Sequence, residues 1–194
     1  MSNPLTSLKN SKEFLLNTLT NLEDSKLTDV FSIEVNCEKL AKFEDGCHGT
    51  EESSKIFQIL HNNGLNDKPA VYWFEITSNH TAEEIRGEFN ELINNIGIRK
   101  IPAINKSYLK TSKILYVGKG KSNISGRMFL HFGYEPKLVH LQGLQLCHWN
   151  FSQALKGLTL RLNIVYMNED CKEIISLFEY YLAKDINPIL GKHR

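Results

Sequence analysis

Seven consecutive residues, Ala70-Val71-Tyr72-Trp73-Phe74-Glu75-Ile76, carry one charged side chain between them and are hemmed in by Pro69 on one side and Ser78-Asn79 on the other. A run of that length, apolar and aromatic and closed at both ends by turn formers, reads as a buried strand. Burying it commits the chain to a sheet with helices laid against it. The stretch before it, His61-Asn62-Asn63-Gly64-Leu65-Asn66-Asp67-Lys68-Pro69, is polar and turn-forming, and is the clear seam in a sequence without repeats or low-complexity tracts. It divides the chain into an N-terminal segment, 1–65, and a domain, 66–194. The total of 194 residues suffices for one sizeable core with an appended segment.

Beyond the first strand, Thr81 with Glu84 three residues later forms a capping box for a helix through Ile85, Phe89, Leu92, Ile93 and Ile96 that stops at Gly97. Residues 113–118 form a second strand ending in the glycine turn Val117-Gly118-Lys119-Gly120. A short helix is expected over 124–132, closed by Gly133, and a third strand over 158–167, with Leu160, Leu162, Ile164 and Tyr166 on one side. Asp170 is placed to cap a last helix through Ile174, Ile175, Leu177, Phe178, Tyr181 and Leu182, before Asn187-Pro188. Upstream of the seam, residues 8–22 have the pattern of a moderately amphipathic helix and residues 55–60 that of the end of another.

The formal net charge of +1 does not by itself point to nucleic acid. Its distribution says more. Residues 99–137 hold nine lysines and arginines against the single acid Glu135, whereas the first sixty residues hold six lysines against ten acids. A basic middle beside an acidic head suits a phosphate-facing surface next to a scaffold or regulatory segment, and a solvated lysine-rich face accounts for it equally well. Cys37, Cys47, Cys147 and Cys171 are scattered with no Cys-x-x-Cys pair, so neither a zinc ribbon nor a disulfide framework is suggested and reduced cytosolic thiols are the simpler reading. The first thirty residues contain no apolar run long enough for a signal peptide or a membrane helix, which places the expected protein inside the cell, in the cytoplasm, with no membrane partner.

Four elements in order resemble the GIY-YIG nuclease family. Its first triplet, Gly-Ile-Tyr, is matched by Ala70-Val71-Tyr72, and its second, Tyr-Ile-Gly, by Tyr116-Val117-Gly118. Arg127 follows on the next helix with His131 four residues on, an Arg-x-x-x-His arrangement similar to that of the family's restriction-endonuclease branch. Glu179-Tyr180-Tyr181-Leu182, with Pro188 nine residues past the glutamate, is similar to the family's metal-ligand helix. The resemblance covers residues 70–191 and departs from the pattern in three places: the first triplet lacks its glycine, an insertion at about 78–112 separates the triplets, and Gly191 stands where the family often has an asparagine, a role for which Asn187 is the nearby alternative. It implies an α/β domain of the α+β kind, with a small, mostly antiparallel three-stranded sheet flanked by helices, behind an N-terminal helical extension. It also implies an endonuclease that uses Mg²⁺ or Mn²⁺ to hydrolyse nucleic acid, with DNA the expected partner. Two cuts on a duplex would favour a dimer. A binding module that keeps the fold and cuts nothing is the alternative, as is an unrelated α/β domain in which these residues do not meet.

Hydrolysis of a phosphodiester needs an activated water, neutralised phosphoryl oxygens and help for the leaving oxygen. Glu179 supplies the hard oxygen ligand that Mg²⁺ takes, water and phosphate filling its other positions. Arg127 has the planar fork that fits two phosphate oxygens. His131, one turn along the same helix face, is the residue type that takes a proton near neutral pH, directly or through a tyrosine. The resemblance implies that Tyr72 helps activate water and Tyr116 orients phosphate or water; a phenol near its usual pKa of ~10 is a poor base unless nearby cations lower that value. Lys119 and Lys121, flanking Gly120, are expected to bind backbone phosphates, although the spacing is not that of a Walker loop. His140, His148 and the pair Cys47-His48 lack metal-ligand spacing, and Trp149 is expected to anchor a core.

Overall fold

The computed structural model describes residues 30–40, 51–62, 66–96, 100–134 and 142–191, together with four scattered positions nearer the start. Four strands form one sheet: β1 (Val30–Asn36), β2 (Ala70–Ile76), β3 (Ile114–Gly120) and β4 (Thr159–Tyr166), in the spatial order β1-β4-β2-β3. Every neighbouring pair is antiparallel, so the aromatic run Ala70–Ile76 lies in the interior of the sheet between β3 and β4.

The fourth strand corrects the expected three-stranded sheet. Val30–Asn36 pairs along its whole length with β4, Ile33 opposite Leu162 and Val35 opposite Leu160. Its alternation of Phe31, Ile33 and Val35 with Ser32, Glu34 and Asn36 is that of a half-buried strand. Ile33 and Val35 are buried in the main core, and Glu34 on the outer face meets Arg161 of β4 at 2.8 Å. The chain before the polar seam therefore adds an edge strand to the sheet. It also adds α1 (Glu51–Asn62), which includes the helix end expected over 55–60. The helix expected over 8–22 falls largely outside the described residues.

The two sheet faces are covered by different elements. On one, Tyr72, Phe74 and Ile76 pack against α1, against α2 (Ala82–Ile96) and against α3 (Ile124–Phe132), with Trp149 and Leu155 from two 3-10 turns completing the layer. On the other, Val71, Val117 and Met167 pack against α4 (Ile175–Ile186). Thr81 caps α2 as expected: its hydroxyl accepts from Glu84 N–H at 3.2 Å, while the Glu84 carboxylate accepts from Thr81 N–H at 2.7 Å. α3 is closed by Gly133 in a left-handed conformation, φ 91°, which its missing Cβ permits. The start of α4 differs from expectation. Asp170 lies in a 3-10 turn, Glu169–Glu173, whose tighter bonds run from Cys171 N–H to Asn168 and from Ile174 N–H to Cys171, and the α-helix begins only at Ile175.

Beyond α4 the C-terminal segment runs along the outer edge of β3, and the insertion after α2 lies against that segment. Ile189 and Leu190 donate to the Ile114 and Leu115 carbonyls, and Asn105 and Gly191 bond across to Ile189 and Ala103. The first part of this edge, from Ile114 to Tyr116, is thereby closed to further strands. No helix among the described residues is long and apolar enough to cross a membrane.

Candidate active site

Register explains why side chains from opposite sides of the sheet gather at β3. Tyr72 lies opposite Gly118, and Phe74 opposite Tyr116, so both tyrosines point toward α3. Lys119, one residue out of phase with Gly118, pairs with Val71 and belongs to the face that carries α4. A Cβ on Gly118 would stand 2.6 Å from the Tyr72 hydroxyl oxygen and equally close to its ring. The glycine of the second triplet is thus required by the ring of the first. Ala70, where the family pattern has glycine, is fully buried in the core.

Six of the residues expected in the site, Tyr72, Tyr116, Lys119, Arg127, His131 and Glu179, gather there. The Tyr72 hydroxyl and His131 Nε2 are 2.8 Å apart, both residues wholly buried. The Tyr116 ring lies 6.5 Å from that of Tyr72 and 5.1 Å from the imidazole of His131, centroid to centroid. Arg127 faces both hydroxyls, and its Nε is buried with no hydrogen-bond partner among the described residues. Glu179 reaches toward the same group from α4 and forms an ion pair with Lys119. Lys121 is turned to the surface and pairs with Glu173 at 3.1 Å. Both lysines expected on phosphate are therefore already matched by a carboxylate.

Burial dominates the ionisation of this cluster. It raises the Tyr72 phenol, and the Arg127 charge pulls only partly against it. Tyr116 is pushed above the usual phenol range, first by burial and then by Tyr72. For Arg127, burial alone would weaken the cation, but the two phenols and Glu179 more than compensate, so the guanidinium is held above its ordinary value. His131 is driven well below its usual range by burial and by Arg127, and is neutral at physiological pH.

A cavity of about 400 Å³ opens beside the cluster, walled by Tyr116, Lys119 and Glu179. Tyr72, Arg127 and His131 stand behind this wall. Pro102 and Gln142 line the cavity as well, as do Ser176, Tyr180 and Gly191, none of them expected as site residues. Ser176 and Tyr180 flank Glu179 on α4 and were within reach of helical spacing. Pro102 and Gln142 come from distant segments whose approach has no local signal. Asn187 is not part of this wall: its backbone takes a left-handed conformation at the end of α4, and its amide bonds Asp185 O at 3.4 Å. Trp149 is fully buried, its indole donating to Leu144 O at 2.6 Å. His140, Cys47 and His48 lie outside the described residues.

No three His, Cys, Asp or Glu side chains gather to chelate a metal among the described residues. Glu179 is the single carboxylate on the cavity wall among them. That donor set does not suit a tightly enclosed ion. It does suit Mg²⁺ or Mn²⁺ held by one carboxylate and shared with water and a phosphate, provided Lys119 gives way or turns to the phosphate. No family model, no curated protein and no solved structure matches the chain.

Proposed function

We propose that the protein is a GIY-YIG-type endonuclease that hydrolyses phosphodiester bonds in nucleic acid, DNA in the first instance, with Mg²⁺ or Mn²⁺, inside the cell. The observation that carries the reading is the meeting of two tyrosines, an arginine and a glutamate from four separate elements beside one polar cavity. A core has no use for Arg127 and Glu179 at that position, whereas a phosphodiester needs each of them. Glu179 would hold the cation, which supplies positive charge for the phosphoryl oxygens. Arg127 adds a second, fixed positive charge. Tyr116, on the cavity wall, is the phenol that meets the phosphate or the attacking water, and Tyr72 stands behind it, its oxygen in contact with His131. The three described cysteines are buried and form no disulfide with one another, in keeping with a reducing compartment.

The Lys119–Glu179 ion pair favours a second reading, a nucleic-acid-binding module whose one acid is internally neutralised and which cuts nothing. One experiment separates the two. Supercoiled plasmid is incubated with the wild type, Glu179→Ala and Tyr72→Phe, with and without Mg²⁺ or Mn²⁺. Metal-dependent nicking that falls at least ~100-fold in both variants, the scale of a lost catalytic group, supports the nuclease. A folded wild type that binds the plasmid and never nicks it overturns the nuclease in favour of the binding module.

A further inference from the structure

The buried imidazole of His131 has two neighbours on its ring nitrogens, and one of them admits a single role. Nδ1 lies 3.2 Å from the backbone nitrogen of Leu144, and that N–H can only donate. Nδ1 must therefore carry a lone pair. A doubly protonated ring would set two donors against each other where no water reaches, and an Nδ1–H tautomer would do the same. The neutral ring that remains bears its proton on Nε2, the atom 2.8 Å from the Tyr72 hydroxyl. We propose that His131 donates its Nε2–H to the Tyr72 oxygen and is not the acceptor of the Tyr72 proton, so that His131 is a positioning residue that stabilises negative charge on Tyr72.

The segment that presents the Leu144 amide is built to stay in place. A Cβ on Gly143 would stand 2.3 Å from Leu130 O, so the chain there lies backbone to backbone against α3. Gly143 N–H donates to Lys100 O at 3.1 Å, and the Leu144 carbonyl accepts the Trp149 indole N–H. With Leu144 fixed on both sides, the ring cannot flip without losing the bond to Nδ1. On its other side the Tyr72 oxygen faces the positive charge of Arg127. One neutral donor and one cation therefore surround it, an arrangement that favours a phenolate once a substrate-borne cation is present. Resting on the nuclease reading, the consequence is that negative charge on the Tyr72 oxygen is held by His131 Nε2–H and by Arg127, and that the Tyr72 proton is never passed to His131.

The test begins with the wild type. Nitrogen-15 NMR of the histidine side chains, the His131 signals assigned by their loss in His131→Gln, reports which ring nitrogen bears hydrogen. A pyrrole-type Nε2 with a pyridine-type Nδ1 is the expected result; a protonated Nδ1 overturns the inference whatever the cleavage assay gives. Plasmid cleavage then compares His131→Gln, whose side-chain amide keeps a donor near the Nε2 position but takes up no proton, with His131→Leu. The expected outcome is a loss of about tenfold or less for Gln against ~100-fold or more for Leu, the scale of a lost charge-stabilising donor. Equal losses of ~100-fold or more in the two variants, both folded, would overturn the donor role. A wild type that cuts nothing defeats the nuclease reading alone, because the tautomer is read without substrate.

Discussion

At the scale of single residues, the cluster combines groups whose types and spacing are visible in the sequence with one group that is not. Tyr72, Tyr116, Arg127, His131 and Glu179 stand out because their side chains carry chemistry and their spacing follows strands and helices. The Leu144 amide, which fixes the state of His131, is backbone, and no residue type announces it. Its burial nevertheless has a consequence that can be measured. His131 titrates well below 6.5 in the folded chain, whereas in the unfolded chain it returns to about its ordinary value. Below pH ~6.5 the unfolded state therefore binds a proton that the folded state refuses, so stability present above that pH is lost as the pH falls toward the folded value. The slope for one such group is about 1.4 kcal/mol per pH unit. Urea unfolding of the wild type and His131→Gln at several values between about pH 5 and 7, the range in which an ordinary histidine titrates, checks it. The wild type should lose stability relative to the variant across this window. A constant difference between them would mean that His131 becomes charged within the fold.

Among the elements, those with strong punctuation were legible and those without it were not. The capping box at Thr81 and the glycine stop at Gly133 delimit α2 and α3 because they satisfy backbone groups that helix ends leave open. The strand Val30–Asn36 escaped notice for a physical reason. As an edge strand it buries only every second residue, and Glu34 and its neighbours make the segment read as acidic and polar. Its contribution is nonetheless large, because Ile33 and Val35 sit in the main core opposite Leu162 and Leu160. Replacing Ile33 by Ala should cost about 2–5 kcal/mol. In urea this appears as a lower midpoint with an unchanged slope. A shift under ~0.5 kcal/mol, the scale of a surface substitution, would mean that β1 is not packed on the core as described.

For the molecule as a whole, charge placement sets how it can meet a nucleic acid. A formal net charge of +1 supplies little long-range attraction, so affinity must come from one face. The basic stretch 99–137 is weaker in the fold than in the sequence, because Lys110, Lys119 and Lys121 are paired with Glu83, Glu179 and Glu173. The pairs of Lys110 and Lys121 are exposed, and an exposed pair contributes no more than ~1 kcal/mol, so a phosphate competes readily for these two lysines. Binding to duplex DNA should therefore be weak and steeply salt-dependent, each phosphate neutralised adding about 0.9 to the slope of log affinity against log salt. Lys121→Ala should lower that slope by about 1 and weaken binding to all sequences alike. Glu173→Gln should do the opposite at fixed salt, since it frees the Lys121 ammonium without touching the cavity. Fluorescence anisotropy of a labelled duplex over a salt series, with no metal present, measures both effects. An unchanged slope in Lys121→Ala, with tighter binding absent in Glu173→Gln, would place the nucleic acid on a face other than the one that holds Lys121.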